Sequence, residues 1–284
     1  MSAARNIAAS IRQRLLDESK RRGVDFGLIL SRFAVERILS RLSRSRHAER
    51  FVLKGAMLFA VWSGNTHRPT RDIDLLGFGS HDIPDIESVF REILVLPVEA
   101  DGLEFDVSSL TVEKIRAVDA YGGLEVKFLA FLDKARINVQ IDIGFGDAIT
   151  PGPERVTFPS LLPDFEAPRI RAYPVYTVFA EKLEAAIRLG DANGRMKDFY
   201  DLWFLTTKFE LDRNELANAI RATFERRGTA LPRAADLRPF SNDFARLKAV
   251  TWRQFLNRNG MQEPMGNFET LLEHLRRYTA GVLQ

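Results

Sequence analysis

Asp72-Ile73-Asp74-Leu75-Leu76 is where residue types and spacing point most directly to chemistry. Side chains alternate along an extended strand, so the two carboxylates share one face and Ile73 and Leu75 the other. Two acids at this spacing can ligate the same divalent ion, and a face bearing them is unfavourable unless it meets water, basic partners or cations. The plainer alternative is a solvated edge strand with its acids turned outward. Upstream, at Lys54-Gly55-Ala56, a short strand gives way to a helix, and N–H groups exposed at that turn could hold a phosphate. Downstream, Asn138, Gln140 and Asp142 fall on one face of a strand whose other face is Val139, Ile141 and Ile143. Asp142 is then a carboxylate among apolar neighbours, which needs either a specific donor or a place beside a cation.

A glycine turn, an Asp-x-Asp strand and a third carboxylate on a neighbouring strand make up the arrangement that two-metal nucleotidyl transfer requires. One ion lowers the pKa of an attacking hydroxyl, and the other neutralises charge on the triphosphate and the departing pyrophosphate. On this reading Asp72 and Asp74 ligate or bridge both ions, while Asp142 holds the ion facing the nucleophile and is placed to accept its proton. Lys182 lies on an amphipathic helix with Leu183 and Ile187 inward, where an ammonium could reach a β- or γ-phosphate; otherwise it is a surface lysine. Asp198 and Asp201 are three residues apart and so lie on one side of a helix, either as site residues or as partners of Arg195 or Lys197. Arg68 and Arg71 flank Thr70 just before the acidic strand, positioned to neutralise the acids or to bind triphosphate or nucleic acid. The four histidines, His47, His67, His81 and His274, have no metal-ligand spacing, and no P-loop, kinase glycine loop or nucleophile elbow occurs.

The elements that must position these groups read as a mixed α/β sheet. Apolar spacing predicts a helical pair over 5–22 and 26–44 with arginines on the outer face, then a strand over 51–54 and a helix over 56–62. Strands follow at 72–77, 103–112, 124–131 and 137–145, with a helix at 86–94. Beyond Tyr173-Pro174 the pattern becomes helical, over 175–189, 196–207, 212–226, 240–258 and 266–280, with glycine and proline at the joins. The expected division is a catalytic α/β module at 1–172, including the helical pair, and a helical module at 173–284 that completes the active-site cleft.

Composition narrows the function classes. With 45% hydrophobic and 28% charged residues the chain reads as an ordinary globular protein. There is no cysteine, which excludes disulfides and thiolate metal sites. Neither a basic-then-apolar leader nor an uncharged apolar run near the roughly 20 residues of a membrane span is visible, so a soluble, cytoplasmic protein is expected. Residues 1–50 hold twelve Lys and Arg against five Asp and Glu, net +7, and residues 51–150 nine against sixteen, net −7. Acids gathered in one segment suit a divalent cation, and the basic flank suits a polyanion or is a solvated helix face.

Lys54-Gly55 followed by Arg68-Pro69-Thr70-Arg71-Asp72-Ile73-Asp74 resembles the signature of the AbiEii-type nucleotidyltransferase toxins, a family within the DNA polymerase β-like nucleotidyltransferases that includes the mycobacterial MenT-type enzymes. Glu181-Lys182-Leu183-Glu184-Ala185 is similar to the family's helical Lys motif, and Arg195-Met196-Lys197-Asp198-Phe199-Tyr200-Asp201-Leu202 to its R-x-(K/R)-D-x-Y-D-L motif. The resemblance implies a polymerase β-like domain followed by a helical domain. It implies catalytic Asp72, Asp74, Asp142, Lys182 and Asp198, with the nucleotide in a cleft between the three aspartates and the Lys182/Asp198 pair. Lys54, Gly55, Ala56, Arg68, Thr70 and Lys182 would contact the nucleotide, and Asp72, Asp74 and Asp142 would hold Mg²⁺. It further implies transfer from an NTP, with the 3′ end of tRNA as acceptor, an arrest of translation and a cognate antitoxin. A small-molecule or protein hydroxyl as acceptor, or a non-catalytic scaffold, are the rival readings. One position departs from the family pattern: Ala56 stands where Gly or Ser is usual, removing a hydroxyl and some backbone freedom from the turn.

Overall fold

A computed structural model describes residues 2–64, 70, 72–115 and 122–283. Arg68 and Arg71, with His67, lie outside the described residues. The chain divides into two compact units: unit 1 is Met1–Gly146 with Glu154–Ala172, and unit 2 is Asp147–Pro153 with Tyr173–Gln284.

In unit 1 the alternating apolar residues of the sequence form strands with one dry face. β1 (Phe51–Lys54), β2 (Ile73–Gly77), β3 (Leu103–Ile115), β4 (Gly123–Leu132), β5 (Ala135–Phe145), β6 (Glu154–Thr157) and β7 (Arg169–Ala172) make one mixed sheet in the order β3-β4-β5-β2-β1-β7-β6. Leu124, Val126, Phe128, Ala130 and Leu132 on β4 and Ile137, Val139, Ile141 and Ile143 on β5 are all buried. Each of the larger apolar side chains among them contributes about 1.5 to 3 kcal/mol on leaving water. The dry residues alternate with Glu125, Lys127, Gln140 and Asp142, which are not buried. The helices α1 (Ser2–Arg22), α2 (Phe26–Arg44) and α4 (Ile83–Leu94) pack on this unit, and α3 (Leu58–Ser63) follows β1 through a 3-10 turn at Gly55–Met57.

The structure corrects three details of the sequence reading. β2 starts at Ile73, so Asp72 stands just before the strand. The strands β6 and β7 were not anticipated, because each has four residues and only one or two apolar side chains. The arginines of α2 are not all on an outer face: Arg37 and Arg41 are buried. Arg37 pairs with Glu36 at 2.6 Å and Glu99 at 3.0 Å, and Arg41 grips Asp101 through both terminal nitrogens at 2.6 and 3.3 Å. Their guanidinium planes lie over Phe165 and Phe105, at 4.7 Å in each case. Buried charge is tolerated here because it is paired and hydrogen-bonded.

Unit 2 carries α5 (Val175–Leu189), α6 (Met196–Lys208), α7 (Arg213–Arg227), α8 (Asn242–Asn259) and α9 (Phe268–Val282). Asp212, Ser241 and Asn267 cap the first turns of α7, α8 and α9 with side-chain oxygens, and Gly228 and Gly260 end α7 and α8 in the left-handed conformation. Phe199 sits against Phe240, Phe244 and Phe268, and Trp252 stacks on Phe268 at 4.4 Å. Among the described residues no helix is long and apolar enough to cross a membrane.

Candidate active site

Strand register assembles the acids of unit 1. In the parallel β2–β5 pair Asp74 stands opposite Asp142, and in the antiparallel β1–β2 pair it stands opposite Lys54. Asp142 in turn stands opposite Glu125 of β4. Glu125, Asp142, Asp74 and Lys54 therefore form one row across four adjacent strands, and cross-strand neighbours of this kind share a face with Cβ atoms roughly 5 Å apart. Asp72, exposed, lies two residues before Asp74, just ahead of the strand. Like charges so close disfavour one another. Burial pushes the Asp142 carboxyl above its ordinary value; a hydrogen bond from Gln140 Nε2 to Oδ1, 3.0 Å long, opposes this, and the charges of Asp74, Asp72 and Glu125 push it further up.

Gly55 explains itself at this row. Its φ is +70°, and a methyl group there would come within 1.9 Å of Asp74 Oδ2 and 2.6 Å of the carboxyl carbon. The turn after β1 thus closes directly against the Asp74 carboxylate, and only a residue without Cβ fits the approach and the left-handed backbone. Ala56 is buried, Lys54 is half-buried and Thr70 is half-buried outside any element.

The donor set fits a hard divalent cation, since it offers charged oxygens and no sulfur or clustered imidazole. Among the described residues, no three His, Asp or Glu side chains are already gathered as a metal cage.

Two residues escaped the sequence reading. Glu125 and Lys127 lie on the same face of β4, beside Asp142 and Gln140 respectively, and form an ion pair with each other. Their alternation with buried neighbours was legible, but an acid and a lysine on an alternating strand look like any solvated face until the register is known.

In unit 2, Lys182 on α5 reaches α6. Its Nζ lies 2.8 Å from Asp198 Oδ1 and 2.7 Å from Asp201 Oδ2, and Arg195 Nε lies 2.8 Å from Asp198 Oδ2. Both carboxylates are buried, at 2% and 0% side-chain exposure, so the i, i+3 spacing presents two acids to one ammonium. Burial would raise the Asp198 carboxyl, but the charges of Lys182 and Arg195 outweigh it and hold the group below its ordinary value, with Asp201 opposing. The structure brings Lys182, Asp198, Asp201 and Arg195 together, and gives Asp201 the same relation to Lys182 that Asp198 has.

Two solved structures share the fold: JHP933 from Helicobacter pylori, at TM-score 0.53 and 15% identity over 90% of this chain and 93% of that one, and a candidate nucleotidyltransferase from the same bacterium, at TM-score 0.53 and 15% identity over 92% and 97%. No curated protein matches. A family profile described as "Nucleotidyl transferase AbiEii toxin, Type IV TA system" matches residues 37–274, a span that takes in the Asp74–Asp142 row and the Lys182 cluster. The chain belongs to the AbiEii family of nucleotidyltransferase toxins of type IV toxin–antitoxin systems.

Proposed function

We propose that this protein transfers a nucleotide from a Mg²⁺-bound NTP to an acceptor hydroxyl at the 3′ end of tRNA, and that the resulting block of translation is its toxicity, silenced by a cognate antitoxin. The observation that carries the reading is the register match of Asp74 with Asp142 beside Asp72, a crowding of like charge for which a divalent ion is the natural relief.

Asp72, Asp74 and Asp142 would hold the divalent ion, which when bound neutralises triphosphate charge and makes the acceptor hydroxyl easier to ionise. Asp142, whose carboxyl burial and like charges make more basic than an ordinary aspartate, is the group to take the hydroxyl proton. Lys182 supplies a point charge for the donor's β- or γ-phosphate, held in place by Asp198 and Asp201. Gly55 lets the chain approach Asp74, and Lys54, Ala56, Arg68 and Thr70 are assigned to the nucleotide.

One observation favours a second reading, in which the acceptor is a small molecule or a protein hydroxyl. Much of the basic charge in residues 1–50, expected to face RNA, is engaged with acids of the same unit: Arg37 and Arg44 with Glu99, Arg41 with Asp101, Arg46 with Glu92 and Arg50 with Asp85. Incubation with labelled NTPs and Mg²⁺ in the presence of total RNA, protein or a small-molecule extract separates the two. Label in the tRNA fraction, abolished by EDTA, is expected; label confined to another pool replaces the acceptor, and no transfer to any pool refutes the reading.

A further inference from the structure

Asp142 and Glu125 stand opposite each other in the β4–β5 register, and their same-face neighbours two residues away, Gln140 and Lys127, also stand opposite each other. The strand pair therefore presents two acids in one row and two long polar side chains in the next. Each acid is engaged by the partner on its own strand: Lys127 forms an ion pair with Glu125, and Gln140 donates from Nε2 to Asp142 Oδ1 at 3.0 Å. A carboxylate only accepts, so the glutamine must present its amide nitrogen and the bond is directional.

The two engagements differ in what they leave behind. An ammonium neutralises the acid it touches, whereas an amide orients a carboxylate without cancelling its charge. We propose that Gln140 is a positioning residue for the Asp142 carboxylate and that Lys127 ties up Glu125, so that of two register-matched acids it is Asp142 that meets the cation and the reacting hydroxyl. The proposal rests on the nucleotidyl-transfer reading of the row and adds to it the means by which this sheet chooses its third acid. Outer-shell groups that fix a ligating carboxylate commonly change metal affinity by about 10- to 100-fold when removed.

The test titrates the nucleotide-free protein with Mn²⁺, followed by calorimetry, and compares wild type with Gln140→Leu, Gln140→Lys and Asp142→Asn. Thermal unfolding without metal and kcat and KM for NTP are measured on the same proteins. Gln140→Leu is expected to bind Mn²⁺ about tenfold or more weakly, with Gln140→Lys weaker still because it neutralises Asp142. In both, kcat falls while metal-free unfolding stays within a few degrees of wild type. A second pair of variants removes any ambiguity of folding. In Lys127→Gln, where Glu125 is released, adding Asp142→Asn should weaken Mn²⁺ binding less than it does in wild type. If the Gln140 variants bind Mn²⁺ as wild type does while Asp142→Asn does not, or if the Lys127→Gln background changes nothing, Gln140 and Lys127 have no selecting role and the parent reading stands. If wild type itself binds no Mn²⁺, the parent reading falls with the inference.

Discussion

Gly55 has no room for a methyl group, and that makes it the most informative single position for the acidic row. Gly55→Ala must shift either the turn or the Asp74 carboxylate, on top of about 1 to 2 kcal/mol for placing a side chain in the left-handed region. Lower thermal stability together with weaker Mn²⁺ binding is expected; an alanine variant with unchanged metal binding would separate the turn from the site. Asp198 makes a prediction in pH. Its folded-state carboxyl lies below the ordinary 3.8, so the stability it contributes is fully present above 3.8 and is lost as pH falls through the lower folded value. Thermal unfolding followed from pH 7 down to about 3 should show a steep acid loss in wild type and a shallower one in Asp198→Asn, which starts less stable at neutral pH. Residue types were legible in the sequence here: the Asp-x-Asp spacing and the shared face of Gln140 and Asp142 follow from alternation alone. The bond between those two, and the clamp of Asp201 on Lys182, were not, because each depends on a side-chain direction that spacing does not specify.

At the level of elements, long segments with strong periodicity were readable and short ones were not. α2 and α5 match the ranges expected from spacing, 26–44 and 175–189, because each carries a continuous apolar stripe. β6 and β7 are too short to show alternation, and β7 is in the sheet through its parallel pairing to β1 at Leu53–Ala172, a contact between distant parts of the chain. α2 also shows where helical pattern misleads. Its arginines were assigned to the outer face, yet Arg37 and Arg41 are buried, as is Glu36, held by acids and backbone groups from segments far along the chain. Arg41→Leu removes one partner of a buried pair and leaves the Asp101 charge without it. A loss of about 3 to 5 kcal/mol in chemical unfolding of unit 1 is expected, and a cost near zero would mean that Asp101 finds water instead.

Across the whole molecule, the uneven charge of the sequence is turned to two uses. Basic residues of 1–50 meet acids of 51–150 in ion pairs such as Arg41–Asp101 and Arg46–Glu92, which accounts for part of the opposite net charges of those segments. The register-aligned aspartates of β2 and β5 stand beside one another, and each disfavours the other's charge, which is the physical ground on which the proposed transfer would draw on a divalent cation. The most direct test of that claim is Asp74→Asn, which keeps the shape of the side chain against Gly55 and removes its charge. With labelled NTP, Mg²⁺ and total RNA, the variant should lose transfer by at least about 100-fold while still unfolding cooperatively on heating. Wild-type transfer by a folded Asp74→Asn protein would contradict the account, because the row would then hold no ion that the chemistry needs.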